Sequence, residues 1–129
     1  MKTIISNEAP AAIGPYSHAV ETGGSELRLI FTSGQIAIVP ATGEIIGGGV
    51  KEQAEQTIKN LKTVLKSAGT DLEHVIKTTC FLTDMADFTA FNEVYAAHFK
   101  NKPSRSCVAV RALPKGALVE IEAVAEKVK

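Results

Sequence analysis

Arg105, Cys107 and Glu120 stand close together near the end of a 129-residue chain, and their types could do chemistry as a set. A guanidinium presents a planar fork of N–H donors that grips a carboxylate with two parallel bonds, where lysine would offer charge without orientation. A glutamate within hydrogen-bond reach of a water or an amine serves as a general acid or base. A thiol is a strong nucleophile only where its pKa is depressed, usually with a base beside it. No histidine stands in an obvious partner position to Cys107, so a lining role through its thiol or backbone N–H is preferred. Tyr16 follows the stiff Gly14-Pro15 pair and can close over a pocket. Ser33 and Gly34 end a strand, where a glycine lets a ligand approach the backbone. Asn92 can add a polar contact, or can face solvent from the middle of a helix. Each residue also has a plain alternative, such as a solvated arginine, an outward glutamate or a packing tyrosine, and type alone does not decide.

The elements that must position them can be read from periodicity. Residues 3–5, 17–22 and 27–33 read as short strands, with a turn at Gly23-Gly24-Ser25. Residues 35–39 continue in extended form to a turn at Pro40-Ala41-Thr42-Gly43. From Lys51 the apolar period becomes helical through Ala54, Ile58, Leu61, Val64, Leu65 and Ala68, with Gly69 placed to end the helix. Glu55 precedes Lys59 by four, a favourable order for a helix pair. Residues 75–82 read as a buried strand, with Cys80 as an apolar filler on the face of Ile76 and Leu82. A second helix is expected over 85–99, capped by Asp84, with Phe88, Phe91, Tyr95 and Phe99 as its stripe. Strands at 105–112 and 118–126 follow. The order predicts one α+β domain over 1–129, a single sheet with two helices on one face.

Alternation in the last two strands places Arg105 and Cys107 opposite Val108, and Glu120 opposite Val119 and Ile121. The apolar faces should meet the helices, so Arg105, Cys107 and Glu120 all lie on the uncovered side of the sheet. That face is then either solvent-facing decoration or a site at a subunit interface; the pattern does not choose.

Composition narrows the partners. Apolar residues make up 45% and charged residues 22%, and fourteen basic residues balance fourteen acidic ones. A nucleic-acid partner is not expected from zero net charge and the lack of a stacking-aromatic platform. No apolar run approaches a membrane span and the N-terminus lacks a secretory h-region, so no membrane partner and a cytoplasmic location are expected. His18, His74 and His98 are far apart and show no ligand spacing, so no metal is expected. They read as locally hydrogen-bonded. Gly47-Gly48-Gly49 lacks the ending of a phosphate loop and reads as a turn.

Ala11-Ala12-Ile13-Gly14-Pro15-Tyr16-Ser17, Thr32-Ser33-Gly34-Gln35 and Phe91-Asn92-Glu93-Val94-Tyr95 stand ahead of Pro103-Ser104-Arg105-Ser106-Cys107-Val108 and Val119-Glu120-Ile121-Glu122-Ala123. In this order they resemble the Rid family (YjgF/YER057c/UK114), reactive-intermediate imine/enamine deaminases, over essentially the whole chain. Extra length at Gly24-Ser25-Glu26 is the one small departure. The resemblance implies a chorismate-mutase-like α+β subunit, a homotrimer, and active sites in clefts between neighbouring subunits. It implies hydrolysis of 2-aminoacrylate/2-iminopropanoate and 2-aminocrotonate/2-iminobutanoate to 2-keto acids and ammonia, with no cofactor. Arg105 would hold the carboxylate, and Glu120 would position or deprotonate water or relay a proton. Cys107 would line the site, with Tyr16, Ser33, Gly34 and Asn92 binding substrate. Two alternatives remain: a non-catalytic trimer that binds 2-keto acids for regulation, and an endoribonuclease L-PSP-like or translation-initiation inhibitor acting on RNA. The joint presence of Arg105, Cys107 and Glu120 favours the enzyme.

Overall fold

In a computed structural model describing residues 1–24 and 26–128, the chain forms one six-stranded sheet carrying two helices on one face. The elements are β1 (Lys2–Ile4), β2 (Ala19–Glu21), β3 (Leu29–Thr32), α1 (Val50–Ser67), β4 (Val75–Leu82), α2 (Phe88–His98), β5 (Ser104–Ala109) and β6 (Val119–Glu126). The spatial order is β1-β2-β3-β6-β4-β5. Every pair is antiparallel except β4–β5, which is parallel and needs the long crossover that α2 supplies.

The helices form where the apolar period is 3.6. Ala54, Ile58, Leu61, Val64 and Leu65 bury one face of α1. At its start the Glu52 carboxylate accepts the Gly49 N–H at 3.2 Å. At its end Gly69 takes the left-handed conformation, φ +86°, that a residue with a Cβ adopts at a cost. Helix α2 buries Phe91, Val94 and Tyr95, and Phe99 follows them into the core. Sheet residues Ile30, Cys80, Leu82, Val119, Ile121 and Ala125 face the helices. On the other face Val20, Phe31, Phe81, Val108 and Val124 have no covering element among the described residues, and Phe31 and Val108 are 44% and 46% exposed. Among the described residues no helix is long and apolar enough to cross a membrane.

The expected fold class holds, with local differences that have physical causes. A bulge between Val75 and Lys77 puts Ile76 out of phase, so Cys80 shares its buried face with Thr78 and Leu82 while Ile76 is exposed. The second helix opens as a 3-10 turn at Met85–Asp87, with the Ala86 N–H bonded to Asp84, and becomes α-helical at Phe88. Residues 35–39 make only isolated bridges, Gln35 with Ile121 and Ile38 with Ile45. Glu55 bonds His98 on α2 at 2.8 Å, and no bond to Lys59 forms. Of the expected turn at 23–25, Ser25 lies outside the described residues.

One buried group predicts a gain in stability. The Thr57 hydroxyl on α1 is fully buried and has no hydrogen-bond partner among the described residues. Thr57→Val removes that desolvated hydroxyl at nearly constant volume and should raise the unfolding free energy by about 1 kcal/mol, measured by urea denaturation.

Candidate functional site

The parallel register pairs Thr78 with Arg105 and Cys80 with Cys107. Cross-strand partners share a face, and Thr78 and Cys80 are fully buried beneath the helices. Arg105 and Cys107 therefore lie on the helix-covered face, contrary to the expectation that they sit on the open side. The reason is at α2. The Arg105 guanidinium carbon lies 4.7 Å from the centre of the Tyr95 ring and 5.6 Å from that of Phe88. A weakly hydrated guanidinium stacks well on aromatic faces, so a charge can occupy the apolar side at a sheet edge. Val108, read as core-facing, points to the open face instead.

Arg105 is held in place. Its Nη1 donates to Asn92 Oδ1 at 2.9 Å. The Tyr95 shelf is itself fixed by a 2.7 Å bond between its hydroxyl and Thr78, and by stacking on Phe99 at 4.2 Å. Among the described residues no carboxylate pairs with Arg105. Lys100 and Lys102 border the same open pocket beside Arg105 and Asn92. Cys107 packs at the edge of the main core. Burial pushes its thiol up, and Arg105 pulls the other way more weakly, so the sulfur stays protonated and is a poor nucleophile.

Glu120 belongs to a different pocket. It pairs with Phe81 on the open face of the sheet and lines a cavity of about 280 Å³ with Tyr16, Ser33, Gly34, Ile36 and Pro114. Burial raises its carboxyl above the ordinary 4.5, and the nearby Glu122 adds to the effect. The Ser33 hydroxyl donates to Ser17 O at 2.6 Å, so its oxygen remains free to accept. The Tyr16 hydroxyl accepts the Ile13 N–H at 3.2 Å, leaving its proton available. His18 also lines this cavity, but its Nδ1 accepts the Ser6 N–H at 3.0 Å and its Nε2 meets Pro10 O at 2.7 Å. Both ring nitrogens are used, so it ties down the segment carrying Tyr16.

Gly34 makes room for the carboxylate. A Cβ there would lie 2.5 Å from Glu120 Oε2 and 2.7 Å from Cδ. Gly34→Ala should therefore swing Glu120 aside and lower turnover by about 100-fold, the usual size of a lost acid–base group. Its melting temperature should stay near wild type, because the displaced atoms end a flexible side chain.

Tyr16, Ser33, Gly34 and Glu120 thus share one pocket, while Arg105, Asn92 and Cys107 cluster on the opposite face of the sheet. Sequence reading did not single out Ile36, Ile38 and Pro114 as walls, since apolar residues outside a periodic element carry no directional signal. It read Phe88 and Tyr95 as core stripe; their spacing of about one helical turn either side of Asn92 gave no hint that they shelve a cation.

The family described as Endoribonuclease L-PSP matches residues 6–127. A RutC family protein, y4sK, from Sinorhizobium fredii is 50% identical over 125 residues, covering 96% of each chain. The human protein named 2-iminobutanoate/2-iminopropanoate deaminase is 48% identical over 125 residues, 96% of this chain and 88% of that one. The crystal structure of E. coli TdcF with bound serine superposes with a TM-score of 0.90 at 42% identity, covering 99% of this chain and all of the other. Coverage of this extent is more than a shared fold, and the chain belongs to the Endoribonuclease L-PSP family, that of the Rid (YjgF/YER057c/UK114) proteins.

Proposed function

We propose that the protein is a cytoplasmic deaminase that hydrolyses 2-aminoacrylate/2-iminopropanoate and 2-aminocrotonate/2-iminobutanoate to 2-keto acids and ammonia. The observation that carries this reading is the Arg105 guanidinium, oriented by Asn92 and two aromatic rings yet paired with no carboxylate among the described residues. Such a fork is preorganised for the carboxylate of a small acid. The human relative named for this activity, and TdcF with serine bound, support the same ligand class.

Arg105 holds the carboxylate of the imine tautomer, with C2 turned toward Glu120. Water adds to C2 while Glu120, ionised, takes its proton. Addition to the nitrogen-protonated imine gives a neutral carbinolamine. Glu120 returns the proton to its amine, and as ammonia leaves, the hydroxyl proton passes to Glu120 and C2 becomes the keto carbon. A carboxyl that burial raises above its ordinary value suits a group that must both accept and return a proton. The iminium carbon is already electrophilic, so alignment supplies much of what catalysis needs.

Within one chain Arg105 and Glu120 lie on opposite faces of the sheet, so the complete site needs two copies. The uncovered apolar face around Phe31 and Val108 is the surface that a homotrimer would bury. In that assembly the Arg105–Asn92–Cys107 half of one subunit meets the Tyr16–Ser33–Gly34–Glu120 half of its neighbour.

The reading is tested by generating 2-aminoacrylate from serine with a dehydratase in the presence of semicarbazide. Faster pyruvate release and less trapped adduct with the protein are expected. Failure to compete for either imine, with 2-keto acids still bound, would replace the enzyme by a metabolite-binding protein.

A further inference from the structure

Residues 36–38 are buried yet belong to no strand: Ile36, Ala37 and Ile38 expose 7%, 0% and 5% of their surface. Buried carbonyls outside a sheet must find donors elsewhere. Gln35 exchanges two bonds with Ile121, at 2.8 and 3.0 Å, and Ala37 O accepts the Ile46 N–H at 2.9 Å. The carbonyls of Ile36 and Ile38 are met by a single side chain. Asn60, 1% exposed on α1, donates its amide to Ile36 O at 2.9 Å and to Ile38 O at 2.7 Å. Its Oδ1 accepts from Gln56 Nε2 at 2.9 Å, so both ends of the amide are engaged. Asparagine is a poor residue for a helix interior, so its presence there has a local cost that this clamp offsets.

What the clamp holds is the wall of the Glu120 pocket. Ile36 and Ile38 line that cavity and, with Ala117, Leu113 and Ile45, form a small core separate from the main one. Asn60 does not line the cavity.

We propose that Asn60 is a positioning residue: by fixing the carbonyls of Ile36 and Ile38 it sets the shape of the apolar wall and hence the affinity for the substrate's side chain. The identity of the ligand rests on the deaminase reading; the clamp itself rests on the hydrogen bonds. Asn60→Asp is nearly isosteric but turns a carboxylate toward two carbonyls and cannot donate. Asn60→Ala removes the clamp without adding charge and serves if the aspartate variant does not fold. Val64→Ala, on the same helix but in the main core, destabilises by a cavity without touching residues 36–38.

The experiment compares these full-length proteins on 2-iminopropanoate and 2-iminobutanoate, and follows hydrogen exchange at the Ile46 amide. Loss of the clamp should raise KM about tenfold, more for the longer imine. Turnover at saturation should stay within about twofold of wild type, and Ile46 should lose protection. Val64→Ala should lose stability with KM unchanged. An unchanged KM in both Asn60 variants, or an equal rise in Val64→Ala, overturns the proposal. If wild type hydrolyses neither imine, the deaminase reading falls, and 2-oxobutanoate affinity by NMR titration takes the place of KM. Equal affinity in wild type and the Asn60 variants then overturns it.

Discussion

Arg105→Ala should lower kcat/KM for 2-iminopropanoate by about 10²–10³-fold, since hydrogen bonds to a charged group contribute about 1.5–3 kcal/mol each. The guanidinium has one N–H committed to Asn92 and keeps other donors for a ligand. Its plane is set by the Tyr95 and Phe88 rings, so a bound carboxylate meets a fork already oriented. Arg105→Lys keeps the charge but loses both the fork and the stacking, so it should recover only part of the activity. The alanine variant also loses its contact with Tyr95, about 0.5–1 kcal/mol for a cation over a ring at a partly exposed site. Steady-state kinetics with urea denaturation separates the two effects: the loss of activity is far larger than any loss of fold. Equal activity for lysine and arginine would show that charge alone suffices and that the aromatic shelf has no part in orientation.

Glu120→Gln should lower kcat by about 10²–10³-fold, within the range for removal of a general acid–base, and should make the protein more stable at neutral pH. The stability sign follows from the raised carboxyl. Native protein holds this proton more tightly than the unfolded chain, whose ordinary value is 4.5. The favourable contribution is fully present below that value and is lost as pH rises through the higher folded pKa. Glutamine stays neutral throughout and keeps it. The gap in melting temperature between variant and wild type should therefore open as pH rises from acid toward neutral. Such an exchange of stability for activity is expected where a carboxylate is half-buried for chemistry. A gap that closes with rising pH would mean that an unrecognised partner stabilises the ionised form.

Both helices, the long strands β4 and β6, and the single-sheet architecture were legible because hydrophobic period and β-branched runs report burial directly. The side of the sheet on which Arg105 sits was not. Alternation separates two faces but does not say which one a helix covers, and Val108 on an edge strand outweighed an arginine that aromatic rings can accommodate. The displacement of Ile76 depends on a bulge, which a single extra residue creates without changing the pattern around it. Nothing in the periodicity of the first helix marks Asn60; its role exists only because residues 36–38 are buried outside any strand. For Glu21, alternation along β2 gave no sign that the carboxylate would be buried against Arg28 and Lys127, at 3.2 and 2.6 Å. The residues carrying the family resemblance were all visible, but their division between two faces needed the three-dimensional register.

That division makes the shared site the central claim, and complementation tests it most directly. Arg105→Ala and Glu120→Gln protein, each nearly inactive alone, would be co-expressed or refolded together and assayed for imine hydrolysis. If each site takes its arginine from one subunit and its glutamate from the next, random mixing leaves about a quarter of the sites with both native residues. Activity near that share of wild type is the predicted result. Mixed oligomers no more active than the separate variants would show that Arg105 and Glu120 do not meet across subunits, and the composite site would be wrong.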